Sequence, residues 1–146
     1  MKHIFVILYL LLLTSCSNND PIINNPNLPN YTFDTGNLVN INLPQYSILQ
    51  FPGNFKILDG PYGINGVVLY YAGGSNYSAF EISDPNHALS NCSTLNVEGI
   101  IATCNCNDGN SYDIINGIGR TGTTGSYTLK RYQVEVNGSI IRVFNN

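Results

Sequence analysis

"YTLKRYQVEVNGSIIRVF", residues 127–144, is the stretch whose reading decides the fold. Within it Tyr132, Val134 and Val136 alternate with Arg131, Gln133 and Glu135, the period of two expected of a strand with one buried face. Asn137-Gly138 then supplies the two residues that most readily take the positive φ values of a tight hairpin, and "SIIRVF" pairs back across it. Earlier segments continue the theme. "GVVLYYA" (66–72) is a buried-strand type of run, and "YSAFEI" (77–82) follows a Gly-Gly-Ser-Asn turn, which predicts a second hairpin. "LVNINL" (38–43), "GIIATC" (99–104) and "SYDII" (111–115) are read as further strands. No window keeps a helical period and no internal repeat is present. The class is all-β, a small barrel or sandwich.

Composition agrees with that class. Charged residues make up 10% of the 146-residue chain, against roughly 25% in ordinary globular proteins. Its polarity comes from Asn, Ser, Thr, Gly and Tyr, which suit turns and strands better than surface helices. The length allows one domain with a real core. A net charge of −3 with six scattered basic residues excludes nucleic-acid binding, which needs a clustered basic surface.

At the N-terminus Lys2 precedes "IFVILYLLLL" (4–13), about the length of a secretory apolar region and short of the roughly 20 residues of a membrane span. The run ends in "LTSC" (13–16), which resembles the lipobox of bacterial lipoproteins. That resemblance implies a signal peptide over 1–15, lipid on the Cys16 thiol and acylation of the new amino terminus. Several acyl chains hold a protein firmly on a membrane where one is marginal. The expected location is therefore the bacterial cell envelope. "SNNDPIINNPNLPN" (17–30) carries three prolines and no apolar period, so 16–30 is read as a flexible tether and 31–146 as the domain.

Residues 77–143 resemble a known family, the Rieske iron–sulfur domains, and most of all their exported Bacteroidetes-type lipoprotein branch. The stretches that carry the likeness are "AFEISDPN" (79–86), "CNCN" (104–107), "YD" (112–113), "NGIG" (116–119) and "LKRYQVEVNGSIIRV" (129–143). The resemblance implies small antiparallel sheets with an inserted loop subdomain, its two cluster loops at about 83–92 and 104–112. Such clusters bind one iron through two thiolates and the other through two imidazoles. In the positions of those ligands this chain has Asp84, Asn86, Cys104 and Asn107, so the ligand set is degenerate and only Cys104 is of the family type. His87 lies one residue past an expected imidazole.

The family resemblance also implies a disulfide between the loops, with its cysteines at positions matching Cys92 and Cys106. Export makes an oxidised bond reasonable. A Cys92–Cys104 pairing is the competitor. The functional expectation is an envelope lipoprotein with no cofactor, serving as a structural or binding module and not as an enzyme. One alternative is a two-iron two-sulfur electron-transfer protein using Cys104 with Asp84 or His87. Another is thiol chemistry at Cys104, which would need a base such as His87 beside it. A zinc site from Cys104, Cys106 and Asp108 has the wrong cysteine spacing for structural zinc. "NDGN" (107–110) lacks the carboxylates of a calcium loop.

Overall fold

The computed structural model describes residues 25–146; the expected signal peptide, Cys16 and the first part of the expected tether lie outside the described residues. Nine strands and one short helix follow in chain order: β1 (Phe33–Asp34), a 3-10 helix (Pro44–Gln50), β2 (Phe55–Leu58), β3 (Val67–Gly73), β4 (Asn76–Glu81), β5 (Leu95–Glu98), β6 (Ile101–Cys104), β7 (Ser111–Asp113), β8 (Arg131–Asn137) and β9 (Ile140–Asn145). All pairings are antiparallel. They form a six-stranded sheet in the order β1-β9-β8-β4-β3-β2 and a three-stranded sheet in the order β5-β6-β7. The all-β expectation holds. Because β4 and β8 are neighbours in the larger sheet, everything between them is an insertion, and the smaller sheet and both loops belong to it. No described helix is long and apolar enough to cross a membrane.

The decisive hairpin forms as its sequence predicts, with Asn137 opposite Ile140 across Asn137-Gly138. The alternation fades outward along β8: Tyr132 is buried, Val134 half-buried and Val136 exposed. Strand β3 shows why its run is continuously apolar. Val67 and Leu69 enter one core with Val39, Leu49, Tyr132, Ile141 and Val143. Val68 and Tyr70 enter a second core with Phe80, Leu95, Ala102, Tyr112 and Ile114. Both faces of β3 are covered, the first partly by Tyr46 and Leu49 of the 3-10 helix. Burying each large side chain of this kind contributes roughly 1.5–3 kcal/mol.

The strand expected over 38–43 does not form, apart from an isolated bridge between Asn40 and Ile140. Asparagine chemistry explains it. The Asn40 side chain accepts from the Asn42 N–H at 3.0 Å, and the Asn40 carbonyl accepts from the Leu43 N–H at 2.9 Å. This turn displaces a ladder, and Pro44 opens the helix directly after it. The end of the expected tether also rests on the domain. Leu28 is buried, and the side-chain amides of Asn25 and Asn27 both donate to the Pro85 carbonyl.

Candidate functional site

Strand β4 leads into the first loop, and the β6–β7 connection makes the second. Ser83 bridges Thr94, and the Asp84 N–H donates to the Ser93 carbonyl at 2.9 Å, which closes the first loop on itself. The Cys104 N–H donates to the Asn110 carbonyl at 2.9 Å and closes the second. Cys92 and Cys106 form a disulfide that ties the two loops together, while Cys104 is a buried free thiol. Closing a loop of about 15 residues contributes on the order of 3 kcal/mol in the chain-entropy model. Asn105 adds a further tie, donating its amide to the Thr94 carbonyl at 2.8 Å.

Three of the four positions singled out in the sequence meet between the loops. Asp84 is fully buried. One of its oxygens accepts from the Tyr112 hydroxyl and from the Asn86 N–H at 2.8 Å, and the other accepts from the Asn110 amide at 2.9 Å. Asn86 spends its side chain on the 127 backbone, accepting from the Tyr127 N–H at 3.0 Å and donating to the Tyr127 carbonyl at 2.7 Å. The same amide donates to the Tyr112 hydroxyl at 3.0 Å. Gly125 makes this possible. Its φ is +87°, and a Cβ there would collide with the Asn86 amide oxygen. Cys104 Sγ donates to Asp108 at 3.4 Å.

Asn107 is the exception. It is exposed at φ +59° in the turn of the second loop, a left-handed conformation that asparagine tolerates better than most residues. His87 bonds locally instead, its Nδ1 donating to the Ala88 carbonyl at 2.6 Å. The partner of Cys104 is thus a carboxylate and not an imidazole.

Electrostatics oppose a reactive thiol. Burial, reinforced by the Asp84 and Asp108 carboxylates, pushes the Cys104 thiol up to about 12. Burial and the bond to Asp84 likewise raise the Tyr112 hydroxyl far above its ordinary value. Both groups stay protonated at neutral pH and act as donors. Among the described residues no buried side-chain nitrogen or oxygen lacks a hydrogen-bond partner. The polar groups between the loops are therefore internally satisfied.

Sequence reasoning missed Tyr112, Asn110 and Glu81 as members of polar clusters. Glu81, fully buried at the end of β4, accepts from the Ile64 N–H at 2.6 Å, the Asn65 N–H at 3.0 Å, the Ser83 N–H at 3.1 Å, the Ser83 hydroxyl at 2.8 Å and the Tyr132 hydroxyl at 2.6 Å. An acidic residue at an inward position of an apolar strand was the available signal.

Comparison with known proteins gives a narrow result. No family model matches the chain, and no curated protein matches it. Among solved structures, the complex of reduced oxygenase and oxidized ferredoxin in carbazole 1,9a-dioxygenase is similar, at 20% identity and a TM-score of 0.42, covering 64% of this chain and 82% of that one. The ferredoxin of carbazole 1,9a-dioxygenase from Nocardioides aromaticivorans IC177 is similar at 18% identity and a TM-score of 0.41, covering 66% of this chain and 88% of that one.

Proposed function

We propose that this chain is a cell-envelope lipoprotein whose Rieske-like domain has no two-iron two-sulfur cluster and works as a structural or binding module. The carrying observation is the use made of the ligand positions. Asp84 and Asn86 are consumed by hydrogen bonds to Tyr112, Asn110 and the Tyr127 backbone, and Asn107 points into solvent as a turn residue. A cluster of this kind needs two thiolates and two neutral imidazoles. One protonated thiol, one hydrogen-bonded carboxylate and two amides do not fit it. The disulfide holds the two loops together.

A module of this sort needs a surface to offer. A cleft of about 740 Å³ is lined by Leu28 and Leu129 together with Tyr127, Lys130 and Arg131. Its size suits a small ligand or a short peptide segment. Membrane attachment would come from lipid on Cys16, in the manner of the lipobox resemblance.

Two measurements test the proposal. The full chain, exported with iron supplied, is assayed for iron, acid-labile sulfide, and visible and EPR spectra. Substoichiometric iron is expected; one two-iron cluster per chain with a Rieske-type EPR signal sinks the cluster-free reading. For the anchor, Cys16→Ser is expected to move the exported protein from the membrane fraction to the soluble one, and continued membrane retention refutes lipidation there.

A further inference from the structure

We propose that His87, Cys92 and Cys106 form a redox-gated site for a soft-ligand divalent cation such as Zn²⁺, closed while the disulfide stands and created when a dithiol reductant opens it. The site includes no residue of the Asp84–Asn86–Cys104 group but borders it, since the Cys106 sulfur also lies within 4.8 Å of the Cys104 sulfur and an Asp108 oxygen. A ring nitrogen of His87 and the two sulfurs all lie within 4.8 Å of one another, and all three residues are half-buried, accessible to both reductant and ion. Zn–S bonds of about 2.3 Å in a tetrahedral site place two sulfurs about 3.8 Å apart, so the opened cysteines need only a small separation.

The surroundings suit ligation. Because Nδ1 of His87 donates to the Ala88 carbonyl at 2.6 Å, the lone pair belongs to Nε2, and the ring is held by the kind of backbone bond that orients metal-binding imidazoles. The Ser90 hydroxyl lies 3.3 Å from Cys92 Sγ and 3.8 Å from Cys106 Sγ, within reach of either sulfur as a donor once the bond opens. Two thiolates and an imidazole match zinc among common divalent ions, with water as the fourth ligand. The chemistry balances. The dithiol gives up two electrons and two protons and becomes a disulfide, the Cys92–Cys106 bond breaks to two thiols, and the cation then displaces two protons as it binds.

The test uses the full chain in detergent with Co²⁺ as a spectroscopic probe, with and without a phosphine reductant that does not compete for the metal. Expected for the oxidised protein is no thiolate-to-cobalt charge-transfer band at one equivalent. The reduced protein should show that band with tetrahedral d–d absorption, saturating at one equivalent and reversed by Zn²⁺. His87→Ala should weaken binding by at least about tenfold, whereas Asp108→Ala leaves it unchanged. Near-UV circular dichroism of the tyrosines is recorded throughout. Absence of binding after reduction overturns the proposal. So does equal binding by His87→Ala, loss of binding in Asp108→Ala, equal binding by the oxidised chain, or binding by a chain whose native tyrosine spectrum does not return.

Discussion

Glu81 and Asp84 sit three residues apart, both fully buried, yet they belong to regions built on different principles. Glu81 lies in the six-stranded half, where ladders and a continuous apolar core set the geometry before any side-chain hydrogen bond is made. Its cradle is a turn at residues 63–65, where Gly63 has φ +70° and a Cβ would approach the Glu81 carboxylate to 2.7 Å, two reasons for glycine at that position. Asp84 lies in the insertion, whose sheet has three short strands and whose loops have little ladder of their own. There Tyr112, Asn110, Asn86 and the disulfide are themselves the framework. A buried carboxylate can thus decorate a scaffold or replace one. Short strands leave backbone groups for side chains to satisfy, which is why the second region carries so dense a polar network.

The sharpest way to break this contrast is Glu81→Ala. It removes the acceptor of three backbone N–H groups and of the buried Ser83 and Tyr132 hydroxyls, and a loss of about 4 kcal/mol in urea unfolding is expected. The whole domain should lose stability together. A change confined to the six-stranded half would mean that the two halves are not coupled through β4. Cys106→Ser comes next, at about 3 kcal/mol. Here the response should be local: amide exchange rises across 84–93 and 104–111 while β3 and β9 stay protected, and uniform deprotection would contradict the idea that the disulfide serves the loops. Asp84→Asn is milder, at about 2 kcal/mol, because the amide keeps the shape but presents a donor toward the Asn110 amide. An unchanged urea midpoint would show that the Asp84 charge does not matter to the network.

The smallest effect belongs to the edge of the sheet. Arg142 and the Gly36 N–H hold the Asp34 carboxyl down to about 2, well below its ordinary 3.8. A depressed carboxyl contributes stability above pH 4 and loses it as pH falls from about 4 through 2. Exposure keeps this contribution slight. Arg142→Gln should therefore move the Asp34 titration, followed by NMR, upward toward its ordinary value while hardly changing stability at pH 7. An Asp34 titration unmoved by the substitution would remove Arg142 as the cause.

Much of the fold was legible. The β8–β9 hairpin rests on Asn137-Gly138 and strict alternation, and the β3–β4 hairpin on a turn between two apolar runs. Strand β5 was missed although Leu95-Asn96-Val97-Glu98 alternates, because its two-residue turn at Gly99-Ile100 was read as the start of the next strand. Strand β1 has two residues, too few to show any period. In β2, Phe55 and Ile57 are half-buried and give a weak signal. At the site, Cys104 and the asparagines drew attention by their types and spacing. Tyr112 and Asn110 did not, since a strand tyrosine and a loop asparagine look ordinary until something buried needs their hydrogen bonds.

By itself the sequence determined what depends on neighbours along the chain: the all-β class, the tight turns, the apolar runs and the poverty of charge. Local backbone preference and side-chain period are written residue by residue, so they survive without knowledge of the fold. Tertiary structure alone decided what Asp84, Asn86 and Cys104 became. Their partners lie on segments 26 to 41 residues away in the cases of Asn110, Tyr112 and Tyr127, with Asp108 beside Cys104 inside the same closed loop. Whether a polar side chain is a free ligand or a satisfied internal group depends on which donors the fold brings within 3 Å or so of it, and that distance is not encoded in spacing.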